Sequence, residues 1–236
     1  MTAAFCTALV PAISSLMAKK NMEEANKKLS FSFFAAILII IPSAVGLSVI
    51  SGPILRTIYP AAPEGEWLLV LSTITMVFVA LNYVVNGGLY GLGRVIIPVI
   101  SLVVGGVIKL MLNIVLISNP NINVYGASIS SIVCQAIAFT ICFMALRKHI
   151  KMKISFKNHI LKPVIAASIM GVGVWGTQSF IYSFTGNTIA TLVAIFVGIA
   201  VYAVAILGTK CLSKEELHMV PFGGKIYGRL VKVRVI

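Results

Sequence analysis

The sequence has 236 residues, of which 59% are hydrophobic and only 11% charged, and its mean hydropathy is +1.03. Soluble domains are about one-quarter charged, so this composition excludes a soluble globular protein and indicates an integral membrane protein. The net charge of +13 does not predict nucleic-acid binding. The basic residues lie in short segments beside apolar runs, where they set membrane topology and favour anionic lipid headgroups.

Six apolar runs have the length of about 20 residues that crosses a hydrocarbon layer of roughly 30 Å. In lipid, backbone polar groups must be satisfied within the segment, so the runs are predicted to be helices. They are Leu29–Ile50, which we expect to continue toward Leu55, followed by Trp67–Tyr90, Val95–Ile117, Gly126–Leu146, Pro163–Tyr182 and Thr188–Gly208. The predicted fold class is all-α, a polytopic transmembrane helix bundle with six complete spans plus a partial N-terminal span.

Residues 1–17 (MTAAFCTALVPAISSLM) are apolar but too few for a comfortable span, and Pro11 interrupts them. Lysines follow this segment rather than precede it, which is unlike a signal peptide. We therefore interpret it as the inner part of a span that begins further upstream, and expect the chain to be the C-terminal portion of a longer protein. The predicted domains are this partial helix, a six-helix membrane domain at 18–208, and a cytoplasmic basic amphipathic tail at 209–236.

The loops between the predicted spans alternate between basic segments and segments without Lys or Arg. Basic residues collect on one side, four in 18–28, one at Arg94, six in 147–162 and six from 209 onward, whereas the loops at 59–66, 118–125 and 183–187 contain none. Because cytoplasmic loops are rich in Lys and Arg, the C-terminus is predicted to be cytoplasmic.

Lys109 is the one full charge deep inside a predicted complete span. Together with Ser101, Gly105 and Asn113 it recurs every four residues, so these four side chains share one helix face. A charge in this position usually faces a bundle interior or a wet cavity. The alternative is that Lys109 snorkels to the outer headgroups.

Amides are the other polar residues within the spans. Asn82 and Asn86 lie one turn apart. Interhelical hydrogen bonding is the usual role of such residues, and cavity lining is the alternative. Gln135 and Gln178 are interpreted in the same way. Small residues at helical spacing, such as Gly126, Ser130, Cys134 and Ala138, predict close helix packing.

Arg56 follows Ser-Gly-Pro at the outer end of the first span, where it either anchors the interface or contacts a substrate phosphate. The cysteines (Cys6, Cys134, Cys142 and Cys211) lack metal-binding spacing, so we interpret them as small apolar residues. The six acidic residues are all Glu, and no nucleotide-binding or metalloprotease pattern occurs. We therefore expect no enzyme activity, no cofactor, no metal site and no nucleic-acid partner.

Several short segments, in order and spacing, resemble the multidrug/oligosaccharidyl-lipid/polysaccharide flippase superfamily, within it the branch of stage V sporulation protein B and the lipid II flippases. They are LVPAIS at 9–14, PSAVGLSVISGPILRTIY at 42–59, GLYGLGRVIIP at 88–98, KLMLN at 109–113, YGASISS at 125–131 and SKEELHMVPFG at 213–223. The resemblance covers the C-terminal half of such proteins and implies that residues 18–208 form a C-terminal lobe.

What the resemblance implies is alternating access for a lipid-linked oligosaccharide or peptidoglycan precursor of the undecaprenyl pyrophosphate type, in cell wall, spore cortex or polysaccharide biosynthesis. Basic cavity residues would bind the pyrophosphate, with Lys109 and Asn113 near the cavity and Asn82, Asn86 and Arg56 as further substrate-binding candidates. The implied partners are this precursor, membrane lipids and the absent N-terminal lobe. The alternatives are a cation-coupled multidrug exporter of the same superfamily and an inactive truncated fragment.

Overall fold

The computed structural model describes residues 2–60, 65–150, 155 and 157–209. In this part of the chain the regular elements are helices: α1 (Thr2–Ala18), α2 (Met22–Val49), α3 (Ser51–Ile58), α4 (Glu66–Gly91), α5 (Ile96–Ile117), α6 (Tyr125–His149), a π-helical turn at Lys157–Leu161, α7 (Lys162–Thr185) and α8 (Asn187–Gly208). The predicted tail lies outside the described residues from position 210 onward.

Six of these helices, α2 and α4 to α8, are long and apolar enough to cross a membrane. Each coincides with one predicted span, so the predicted all-α class and the six spans are confirmed. Five of the spans begin and end close to the predicted residues. The first begins earlier than predicted, at Met22, because Asn21 caps the helix: its Oδ1 accepts the Glu24 N–H at 3.2 Å, and its Nδ2 donates to Glu24 Oε2 at 2.8 Å.

The end of the first span differs from the prediction. We expected one helix to continue toward Leu55, but the helix ends at Val49 and a separate eight-residue helix, α3, begins at Ser51. Ile50 between them has φ −102° and ψ 18°, which is not helical geometry. Pro53 fits within the first turn of α3 because backbone N–H groups there need no helical acceptor.

The described chain divides into two compact units. The first contains α1, α2 as far as Ile40, and α4 to α6. The second contains α2 from Ile41 onward, α3, the π-helical turn, α7 and α8. Every interhelical contact described below lies within one unit.

In the first unit, α1 packs tightly against the C-terminal end of α4. Ile13 is fully buried there, and a Cβ added at Gly91 would lie 2.6 Å from the Ile13 Cβ. Ser14 Oγ also donates to the Gly91 carbonyl oxygen at 3.3 Å. The N-terminal apolar segment is therefore a packed element of the bundle.

In the second unit, α7 and α8 pack around a small apolar core. Its buried residues are Ile50, Met170, Val174 and Ala194. A Cβ added at Gly198 would lie 2.7 Å from Val174 Cγ2, so glycine is what allows α8 to approach α7 at this point.

Candidate functional site

The face of α5 that carries Lys109 packs against α6. Ser101 Oγ lies 3.0 Å from Cys142 Sγ, and further along α5 the Ser130 hydroxyl donates to Asn113 Oδ1. Between these two contacts, a Cβ added at Gly105 would lie 2.9 Å from the Cys134 carbonyl oxygen. The predicted shared face is confirmed, and so is the close packing of small residues on α6. We call these four-residue-spaced positions of α5 (Ser101, Gly105, Lys109 and Asn113) the α5 ridge.

Lys109 occupies the third position of the α5 ridge. Gly105 and Asn113, one turn to either side of it, both contact α6. The side chain is half-buried. Among the described spans, acidic residues lie in the first turns of α2 and α4: Glu23, Glu24 and Glu66.

Asn82 joins α4 to α6 through its amide nitrogen. Nδ2 donates to the Gln135 carbonyl oxygen at 3.2 Å and to Gln135 Oε1 at 3.1 Å. Because both partners are acceptors, they fix the orientation of the Asn82 amide and leave its oxygen, Oδ1, pointing away from Gln135. The predicted interhelical hydrogen bond is confirmed for Asn82.

Several buried amide oxygens accept no hydrogen bond from the described residues: those of Asn26, Asn82, Asn86 and Gln178. A buried acceptor that lacks a donor destabilises a fold by about 1–3 kcal/mol. Two of the four, Asn82 Oδ1 and Asn86 Oδ1, lie one turn apart on α4. A helix therefore presents two unsatisfied acceptors at neighbouring positions of one face.

Contacts on α6 define the order of its neighbours. Cys134 meets α5, Gln135 meets α4, and Phe139 stacks on Phe33 of α2 with ring centroids 6.3 Å apart. Since each residue advances about 100° around a helix, Gln135 lies about 100° from Cys134 and Phe139 about 40° further in the same direction. On α6, the contact with α4 therefore lies between the contacts with α5 and α2.

Contacts on α4 place Asn86 relative to these neighbours. Gly88 meets Leu29 of α2, at about 120° to one side of Asn82, whereas Asn86 lies about 40° to the other side. Asn86 therefore faces the side of α6 on which α5 packs.

Four of the five predicted substrate-binding residues lie in the first unit: Lys109 and Asn113 on α5, and Asn82 and Asn86 on α4. Asn113 already accepts the Ser130 hydrogen bond and so helps to hold α5 on α6. Gln135 on α6 was not among the five residues, although its polarity within an apolar span was a signal for it.

Arg56 lies in the second unit, exposed in the last turn of α3. A neighbouring residue that the sequence analysis missed holds α3 in place. Asn187 Nδ2 donates to the Pro53 carbonyl oxygen at 2.7 Å and to Thr57 Oγ1 at 2.8 Å, which ties α3 to the start of α8. Neither its residue type nor its place before the predicted span Thr188–Gly208 gave a signal for these partners.

Comparison with known proteins gives consistent matches along the chain. The model of the family described as "Lipid II flippase MurJ" matches residues 1–196. The chain is 30% identical over 217 residues to the lipid II flippase MurJ of Bacillus subtilis, an alignment that covers 86% of this chain and 39% of that protein. Stage V sporulation protein B of the same organism is 22% identical over 227 residues, which are 96% of this chain and 43% of that protein.

A third relative, the uncharacterized membrane protein YabM of Bacillus subtilis, is 25% identical over 93% of this chain and 42% of its own length. The chain thus spans about two-fifths of the length of these relatives. A solved structure of a lipid II flippase MurJ in an inward closed conformation shares the fold, with a TM-score of 0.67 and 19% identity over 85% of this chain and 42% of that one. The predicted relationship to the flippases is confirmed, and with it the placement among multi-pass membrane proteins. By the match over residues 1–196, the chain belongs to the lipid II flippase MurJ family.

Proposed function

We propose that this chain forms part of a flippase that moves a lipid-linked oligosaccharide or peptidoglycan precursor across the membrane by alternating access. The observation that carries the proposal is the family match over residues 1–196. Lys109 supports it, because an ammonium group deep in a span is costly unless it meets an anion or water. The pyrophosphate of a lipid-linked precursor is such an anion.

The position of Lys109 on the α5 ridge favours an interior role over snorkelling. In the proposed transport cycle the ammonium binds the phosphate oxygens of the precursor in the cavity, while the rest of the cavity comes from the N-terminal lobe that the longer relatives possess. By the positive-inside rule, the C-terminus lies in the cytoplasm. In the proposed cycle, as the resemblance to the flippases implies, the precursor enters from the cytoplasmic leaflet and leaves outward. The pathway served is cell wall, spore cortex or polysaccharide biosynthesis.

The anion-binding role of Lys109 is tested by measuring the affinity of undecaprenyl pyrophosphate for the full chain in lipid nanodiscs. Charge-assisted hydrogen bonds contribute about 1.5–3 kcal/mol, so Lys109→Met should weaken binding at least tenfold. Lys109→Arg should retain most of the affinity because it keeps the charge. Lys28→Met, which removes an exposed cation near the start of α2, is the matched control and should have little effect.

Transport itself is tested in proteoliposomes that contain a fluorescent lipid-linked precursor. The chain is reconstituted together with the N-terminal lobe of the Bacillus subtilis relative, and translocation is followed by quenching of the exposed fluorophore. We expect translocation that Lys109→Met slows. Equal rates for wild type, Lys109→Met and empty liposomes would contradict the proposed function.

A further inference from the structure

We propose that Arg94, Arg147 and Lys148 hold the anionic headgroup of a resident membrane phospholipid at one end of the first unit. Arg94 follows the end of α4, and the other two residues lie in the last turn of α6. All three side chains are exposed. We call these three residues the cation cluster. Its ligand is a lipid of the surrounding bilayer and not the transported precursor, so the inference does not rest on the proposed function.

Short contacts hold the turn between α4 and α5 beside the end of α6. The Arg94 N–H donates to the Leu89 carbonyl oxygen at 2.9 Å, which folds the turn back onto the end of α4. A Cβ added at the adjacent Gly88 would lie 3.3 Å from Leu146 Cδ1, and Arg147 comes directly after Leu146. The turn that carries Arg94 is therefore fixed beside the basic end of α6.

The charge of the cation cluster is not neutralised by an ion pair with any described residue. The ion pair in this unit joins Glu23 to Lys27 at 2.9 Å and lies on α2. Arg147 instead lies over the ring of Phe143, with its Cζ 5.8 Å from the ring centroid, and that ring stacks on Phe33. A cation–π contact orients a guanidinium and leaves its N–H groups available to phosphate oxygens.

Apolar side chains are exposed directly beside the cation cluster, along the spans. Ile96 and Val99 lie in the first turn of α5, just after Arg94, and Met144 lies one turn before Lys148 on α6. Ile96 is 71% exposed and Met144 60%. A phospholipid has a phosphate joined to acyl chains, so it can cover both the charge and this apolar surface. A soluble phosphate could use the charge alone.

The test measures lipid binding to the full chain by native mass spectrometry from a neutral detergent, which resolves the chain with one bound lipid. Wild type should bind phosphatidylglycerol at least tenfold more tightly than phosphatidylcholine, because each Lys or Arg beside an anionic headgroup adds a favourable charge interaction. This preference should be lost when the cation cluster is replaced by Arg94→Gln, Arg147→Gln and Lys148→Gln. The matched control removes three other exposed cations of the same unit and should change the affinity less than threefold: Lys19→Gln, Lys20→Gln and Lys28→Gln.

Equal losses in the two triple variants would overturn the site, since they would show attraction to the whole basic end of the unit. Equal affinities of wild type for phosphatidylglycerol and for its deacylated headgroup would also overturn it, because a soluble phosphodiester would then suffice. A third contrary result is a cluster variant that loses affinity for undecaprenyl pyrophosphate but keeps its affinity for phosphatidylglycerol. Binding of phosphatidylglycerol that depends on the cation cluster supports the inference even if Lys109 does not bind the precursor.

Discussion

The α5 ridge offers a pair of adjacent glycines whose substitution isolates the packing of α5 on α6. A Cβ at Gly105 would lie 2.9 Å from the Cys134 carbonyl oxygen and 3.1 Å from its Sγ, whereas a Cβ at Gly106 meets nothing within 4 Å. The backbone of α6 cannot rotate away as a side chain can, so Gly105→Ala must push α5 off α6. Overpacking of this kind costs about 1–3 kcal/mol.

Gly106→Ala is the matched control because it carries the same change in helix propensity. Alanine is favoured over glycine in a helix interior by about 0.8–1 kcal/mol, and this gain is common to both variants in the same helix. The difference in unfolding free energy between them is therefore the overpacking cost alone. For a chain of this size, about 1–3 kcal/mol corresponds to an unfolding midpoint about 2 to 12 °C lower for Gly105→Ala than for Gly106→Ala.

The assay follows the reaction of a thiol-specific dye during heating in detergent. Cys134 and Cys142 are buried free thiols beside the α5 ridge, so their exposure reports loss of this packing. Cys6 and Cys211 are replaced by serine in all variants to remove their signal. The reasoning would be refuted if Gly105→Ala reacted at the same temperature as Gly106→Ala, or at a higher one.

Two further substitutions test helix ends. Asn187→Ala removes the hydrogen bonds to the Pro53 carbonyl oxygen and Thr57 Oγ1. It should destabilise the second unit by about 1 kcal/mol, and hydrogen exchange in α3 should become faster. Unchanged exchange would show that α3 does not depend on α8. Asn21→Ala removes the cap of α2 and should lower the free energy of unfolding by about 1 kcal/mol, which is measured as a lower unfolding temperature. Asn21→Asp should retain the stability. An equal loss in both variants would argue against the cap.

The spans were predictable because their determinants are local. A run of about 20 apolar residues and the flanking charges are both properties of a short window of sequence, and each predicted span coincides with a helix. The separate helix α3 was not predicted, although Gly52 and Pro53 mark its start. The apolar residues continue across Ile50, and hydropathy alone does not distinguish one long helix from two that meet at a single non-helical residue.

Interhelical partners were harder to predict because periodicity defines a face but not what packs against it. The four-residue spacing correctly grouped Ser101 with Asn113, but their partners on α6 follow from the register between two helices. Asn82 and Gln135 are 53 residues apart in sequence, so neither residue type nor spacing identifies the pair. The same holds for Asn187, whose partners lie on α3.

The two polar atoms of the Asn82 side chain differ in their surroundings. Its nitrogen joins α4 to α6, whereas its oxygen is buried and accepts no hydrogen bond from the described residues. Packing and cavity lining were the two roles predicted for such residues, and the nitrogen has the first. Asn86, whose oxygen is buried but accepts no hydrogen bond from the described chain, contributes nothing to α4–α6 hydrogen bonding. An apolar residue at position 86 would relieve the desolvation cost of the buried Asn86 oxygen, so Asn86→Leu should raise rather than lower the thermal stability of the chain.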